Sequence, residues 1–262
     1  MDMADWVYHL PVVWMAAVVF AVTLVISGGI YAGVLALAKG ERARAFKALS
    51  PVMLTPLAVI FGLIVAFLAS QVWIDVERAN NAVIREANAL RTVVVLAAYY
   101  PKEQETRIRA FVRRHIQRAV DEEWPAMANR RANLPLISGG YTEGLQLALS
   151  IVPQNEAQTI AQREMVSSLQ SAFEARRQRI IISESTINWV KWTVVGLLAV
   201  MLLVTIAIIH SDNRATAAIG MAIFSVAVAA SIVLIASHNR PFTGEISIGP
   251  ALLMQVLPEE KP

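Results

Sequence analysis

The sequence predicts an all-α membrane protein in which four transmembrane helices carry a long helical insert between the second and the third. Three observations lead there. Of the 262 residues, 56% are hydrophobic and 16% are charged, whereas an average soluble domain has roughly 45–50% and about 25%. The apolar residues gather in four blocks, each long enough to cross a bilayer, for which about 20 helical residues cover roughly 30 Å of hydrocarbon. The polar stretch between the second and third blocks repeats its apolar positions every three or four residues and shows no strand alternation.

Composition also excludes several classes. The chain has no cysteine, which removes disulfides, thiolate zinc sites, iron–sulfur clusters and thiol nucleophiles. Its 12 Gly and 11 Pro are scattered without a period, so collagenous and low-complexity readings fail. The net charge of +3 comes from basic residues in the polar stretches, where arginines beside spans act as topology signals and headgroup anchors. The lipid bilayer is therefore an expected partner and nucleic acid is not.

The first block runs from Leu10 to Ala38, the second from Ala48 to Ile74, the third from Trp192 to Ile209 and the fourth from Ala215 to Ser237. The first is too long for a cleaved leader and follows the acidic Met1-Asp2-Met3-Ala4-Asp5, so it reads as a retained span. These blocks divide the chain into residues 1–75 with two spans, 76–187 as an insert continuous with spans two and three, 188–238 with the last two spans, and 239–262 as a tail. Beyond the second span, Val76, Ala79, Val83, Ala87, Leu90, Val94 and Ala97 continue one helical stripe, with Arg78, Arg85 and Arg91 on other faces. Pro101 opens the next helix and Pro125 closes it, with Ile108, Phe111, Val112, Ile116, Val120 and Trp124 inward. Asn133-Leu134-Pro135 and Ser138-Gly139-Gly140 mark a loop, and a short helix follows from Thr142 to Val152. After Pro153 a long helix is expected to run into the third span, with Ile160, Val166, Leu169, Phe173 and Ile180 inward. The insert is thus a set of helical extensions packed together rather than an independent domain.

No catalytic constellation emerges. His9, His115, His210 and His238 are far apart and none has a metal-ligand spacing. They read as interfacial or structural histidines. Asp121-Glu122-Glu123 reads as a solvated helix end rather than a cation site, and Ser183 and Ser185 have no partnered base nearby. Gly28-Gly29 and Gly33 lie inside a span, where glycine allows close helix contact. No enzyme activity, metal or cofactor is expected.

The second span carries the information. At 100° per residue, Thr55, Val59, Gly62, Leu63, Ala66, Ser70 and Trp73 fall on one slim face, and Leu57, Phe61, Ile64, Leu68 and Gln71 fall on the opposite, bulky one. Gly62, Ala66 and Ser70 have the spacing of a small-xxx-small helix-packing surface, which Trp73 continues. The alternative is that several copies turn this face to a common axis, so that Thr55, Val59 and Leu63 line a hydrophobic constriction able to gate by dewetting.

Thr55-Pro56-Leu57-Ala58-Val59-Ile60-Phe61-Gly62, followed by Trp73, resembles the second transmembrane helix of bestrophins. Asn239-Arg240-Pro241-Phe242-Thr243-Gly244-Glu245 is similar to the segment after their last span. The chain more closely resembles a bacterial bestrophin-like group. The residues that carry this are Glu86-Ala87-Asn88-Ala89-Leu90, Glu123-Trp124-Pro125, Arg176-Arg177-Gln178-Arg179 and Pro241-Phe242-Thr243-Gly244 with Pro250. The resemblance implies a homopentamer in a bacterial inner membrane with a central pore for small inorganic anions such as chloride. It puts Thr55, Val59 and Leu63 at the neck, where bestrophins carry mostly bulky aromatics, and both termini and the insert in the cytoplasm. Only Glu245 remains of the acidic run with which animal bestrophins clasp calcium, so no calcium activation of that kind is expected. On orientation the short-loop charges point the other way, because Lys39, Arg42, Arg44 and Lys47 crowd the first loop and Arg214 the last. The other reading open to the sequence is a non-conducting membrane scaffold or sensor whose insert recruits a partner or ligand.

Overall fold

The computed structural model describes residues 5–132 and 138–258. The described residues are helical and contain no strand. Seven helices carry the architecture: α1 (Val12–Leu37), α2 (Leu54–Ala97), α3 (Lys102–Arg118), α4 (Ser138–Ser150), α5 (Glu156–Glu184), α6 (Trp189–Ile209) and α7 (Arg214–His238). The helical segments Val12–Leu37, Pro51–Ala97, Trp189–Ile209 and Arg214–His238 each contain a stretch long and apolar enough to cross a membrane.

The chain divides into two compact units. One comprises Met1–Ile74 with Thr186–Asn239, and the other Asp75–Ser185 with Arg240–Pro262. The core of the first is apolar: Phe61, Leu68 and Val72 of α2 pack with Val195, Ala199 and Leu202 of α6 and Val228 and Ile235 of α7. Polar links inside it are few, among them Tyr31 donating to the Arg214 carbonyl at 3.2 Å and Ile187 N–H donating to Asn239 at 2.9 Å. The second unit has its own core, in which Val83, Leu90 and Val93 meet Ile108, Phe111 and Ile116, Met165 and Leu169, with Phe242 and Leu253 from the segment after the last span.

Several expectations are corrected. The second span does not start at Ala48. A short helix, Glu41–Lys47, precedes it, and Ser50 then accepts from the Val52 N–H to cap a 3-10 turn at Pro51–Met53, so α2 begins at Leu54. Pro125 does not close its helix. The chain passes from α3 through a π turn, Ala119–Glu123, into a last turn, Trp124–Ala128, in which Pro125 is the second residue. Asn133-Leu134-Pro135 lie outside the described residues, but Ser138-Gly139-Gly140 are the start of α4 rather than a loop, and α4 ends at Ser150 rather than Val152. Gly140 is buried, and a side chain there would meet Phe173 at 3.6 Å, an ordinary van der Waals contact. The helix after Pro153 does not run into the third span. It ends at Glu184, and Asn188 caps a new helix by accepting from the Val190 N–H. Its inner stripe is Ala161, Met165, Leu169, Ala172, Phe173 and Ile180, one step off Ile160, which is exposed.

Candidate functional site

After Pro56 the α2 helix has no further proline and one glycine, Gly62, and its two faces are treated oppositely by the fold. Phe61 and Leu68 are buried and Leu57, Ile64 and Gln71 partly so. Phe61 meets Phe224 of α7 with ring centroids 5.7 Å apart, and Gln71 accepts from Lys191 of α6 at 2.6 Å. The bulky face therefore packs against the chain's own helices. On the other side Thr55, Val59, Gly62, Leu63, Ala66, Ser70 and Trp73 are all exposed, Val59 at 62% and Leu63 at 56%. A methyl group added at Gly62 would meet nothing within 4 Å. The small residues do not serve packing within the chain, and the Trp73 ring lies 6.2 Å from the His238 ring.

The second feature was only partly readable from sequence. In the unit containing the insert, Glu86 of α2, Glu123 of the π turn and Arg176 and Arg179 of α5 are all buried. Arg179 donates from Nε to Glu86 Oε2 at 2.9 Å and from Nη2 to Glu86 Oε1 at 3.2 Å and Glu123 Oε2 at 2.9 Å. Arg176 donates to Glu123 Oε1 through Nε at 2.9 Å and Nη2 at 2.6 Å. His115 Nε2 lies 3.2 Å from Glu86 Oε1, and its ring sits against Phe111 and Phe173. The Arg179 guanidinium carbon lies 4.2 Å from the centroid of the Trp124 ring, a cation–π contact that adds to the pairing.

Local structure explains how two acids reach one arginine. The wider π turn lets consecutive residues, Glu123 and Trp124, both face inward, while Asp121 and Glu122 stay exposed. The reading of this run as a solvated end is thereby corrected at Glu123. Burial pushes the Glu86 carboxyl upward, but the Arg179 guanidinium and the hydrogen bond with His115 outweigh it and hold the group at about 2. Burial likewise raises Glu123, and the hydrogen bond from Arg176 with the charge of Arg179 brings it below the usual carboxylate range. For Arg179, burial acts to lower its value, yet Glu86 and Glu123 raise it above that of a free arginine. The cluster is closed on itself, with each charge facing an opposite one. Its chemistry is that of a structural clamp, since no group is left poised to attack a substrate.

The segment after the last span locks onto this clamp. Phe242 meets the Trp124 ring edge-on at 6.1 Å, Trp124 Nε1 donates to the Ile248 carbonyl at 2.9 Å, and Thr243 Oγ1 donates to the Ala128 carbonyl at 2.8 Å. Gly244 takes φ +88°, a conformation that disfavours any side chain, and so turns the chain back. Glu86, Glu123, Trp124, Pro241 and Phe242 are thus brought into one buried neighbourhood, Gly244 sits at its edge, and Asn88 is exposed beyond it. Arg176, Arg179 and His115 were not expected as partners. The sequence marked Arg176 and Arg179 only as part of the run Arg176-Arg177-Gln178-Arg179 and His115 only as a structural histidine.

A family model of the bestrophin-like domain matches residues 11–253 of the chain. Comparison with the curated proteins and with the solved structures finds no match.

Proposed function

The chain belongs to the bestrophin-like family, and from that premise we propose that it assembles into an oligomeric membrane channel for small anions. The observation that carries this is the slim face of α2, left bare by a protomer that buries the opposite face of the same helix. In the reading, five copies turn that face to a shared axis. Val59 and Leu63 then form an apolar ring, Thr55 places a hydroxyl beside it, and conduction is passive, gated by wetting of the ring. Arginines of the insert raise the local concentration of anions. No catalytic step, cofactor or calcium enters the mechanism.

The protein is read as a multi-pass protein of a bacterial inner membrane with the insert in the cytoplasm. A reporter fused at Pro262 and active on one side only tests that orientation, and activity confined to the periplasm reverses it. The function itself is tested by reconstituting purified protein in planar bilayers and recording chloride against sodium currents. Chloride-selective conductance that changes in Leu63→Ala supports the reading, and electrical silence contradicts it.

One observation favours the other reading, a non-conducting scaffold or sensor. Leu149, Val152 and Ile160 are exposed on the unit containing the insert, at 65%, 78% and 62%, an apolar surface of the kind that recruits partners. That reading expects a monomer or dimer in detergent, whereas the channel expects a larger assembly.

A further inference from the structure

The two ends of the four-helix membrane unit differ in chemistry. Contacts assign them: Trp73 to His238, Lys191 to Gln71, and Asn239 to both Tyr8 and Ile187 gather one end. Tyr31 to Arg214, and Phe46 packed with Val34, Leu203, Ile206 and Met221, gather the other. Near the first end lie Trp6, Trp14, Trp73, Trp189 and Trp192, all the tryptophans of the chain but Trp124. Tryptophan favours the membrane–water boundary for its amphipathic ring.

The second end has no tryptophan and four exposed cations, Lys39, Arg42, Arg44 and Arg214. Among the described residues none of the four has a carboxylate within ion-pair distance. Gly40, at φ +59°, turns the chain sharply out of α1 into the short helix Glu41–Lys47, and Phe46 pins that helix to the bundle. Arg42 and Arg44 are therefore held on an anchored element. In the 3-10 turn that follows this helix, Val52 and Met53 are exposed at 75% and 57%. Unpaired guanidiniums and bare apolar side chains at one end of the unit match the two halves of a phospholipid, because arginine binds phosphate in a charge-assisted fork while the apolar residues lie against acyl chains.

We propose that this end of the membrane unit is a binding site for anionic phospholipid headgroups, with Arg42, Arg44 and Arg214 holding the phosphate and Val52 and Met53 flanking the acyl chains. The proposal is independent of conduction. Its test is native mass spectrometry of the delipidated, detergent-solubilised protein, titrated with phosphatidylglycerol or with phosphatidylcholine of the same acyl chains, with inorganic phosphate as competitor. The expected result is retention of phosphatidylglycerol roughly tenfold or more above phosphatidylcholine. The combined variant Arg42→Gln, Arg44→Gln, Arg214→Gln should lose that preference, and the corresponding lysine variant should keep most of it. Equal retention of the two lipids by the unaltered protein overturns the proposal, whether or not the glutamine variant folds. So does a preference unchanged in a folded glutamine variant. Displacement of phosphatidylglycerol by inorganic phosphate at equal concentration also overturns it, because the site would then be one for the free anion.

Discussion

The membrane unit and the unit containing the insert reach order by opposite means. The first buries apolar side chains and leaves the α2 face with Val59, Gly62 and Leu63 uncovered, whereas the second buries two carboxylates and two guanidiniums at its centre and pairs them with one another. In a bilayer, lipid is as apolar as leucine, so shape and small residues decide which helices meet. In water an apolar core forms readily, and a buried ionic network, whose pairing admits few alternatives, adds specificity more than net stability. The comparison teaches where each unit is sensitive: the insert at its charges, the membrane unit at the α2 face it leaves uncovered.

Breaking the network should give the largest effect. Arg179→Ala leaves Glu86 and Glu123 buried without their shared partner, which costs about 3–5 kcal/mol. Denaturant or thermal unfolding followed by circular dichroism should show loss of the insert helices first, and an unchanged transition would remove the network from its structural role. Acid should act in the same place. Glu86 is held at about 2 against an ordinary 4.5, so its contribution is present in full above pH 4.5 and is lost as the pH falls toward 2. The depression corresponds to a contribution on the order of 3 kcal/mol. Glu86→Gln should flatten the melting temperature against pH across that window.

Two glycines sharpen the contrast further. In the insert unit, a methyl group at Gly144 would approach Phe111 to 2.7 Å, so Gly144→Ala should destabilise by about 1–3 kcal/mol through overpacking. Gly62 meets nothing, and alanine is favoured over glycine in a helix interior by about 1 kcal/mol. Gly62→Ala should therefore leave unfolding unchanged or slightly later while altering conductance, the smallest effect on fold and one specific to function.

Much of this was legible in the sequence, for identifiable reasons. The four blocks and both faces of the second span follow from hydropathy and a 3.6-residue period, and Phe61 and Leu68 on one side with Val59 and Leu63 on the other lie as the period requires. The stripe from Ala79 to Ala97 and the inward row of α3 were equally plain. What escaped were non-local pairings. Glu123 looked solvated because two acidic neighbours precede it, and only a π turn, which depends on i→i+5 bonding, lets it face inward beside Trp124. The break before α6 hinged on capping by Asn188 and on Asn239 accepting from Ile187, a contact between residues far apart in sequence. Arg176 and Arg179 carried charge without any sign of their partners.

The claim on which the functional account rests is that the bare face of α2 surrounds a watery axis. Because the chain has no cysteine, Val59→Cys introduces a single reporter at its centre. Oxidation of this variant in native membranes should yield disulfide-linked dimers, and a water-soluble thiol reagent should reduce its currents in bilayers. A cysteine that forms no dimers and reacts only with lipid-soluble reagents would show the face turned to acyl chains, contrary to the account.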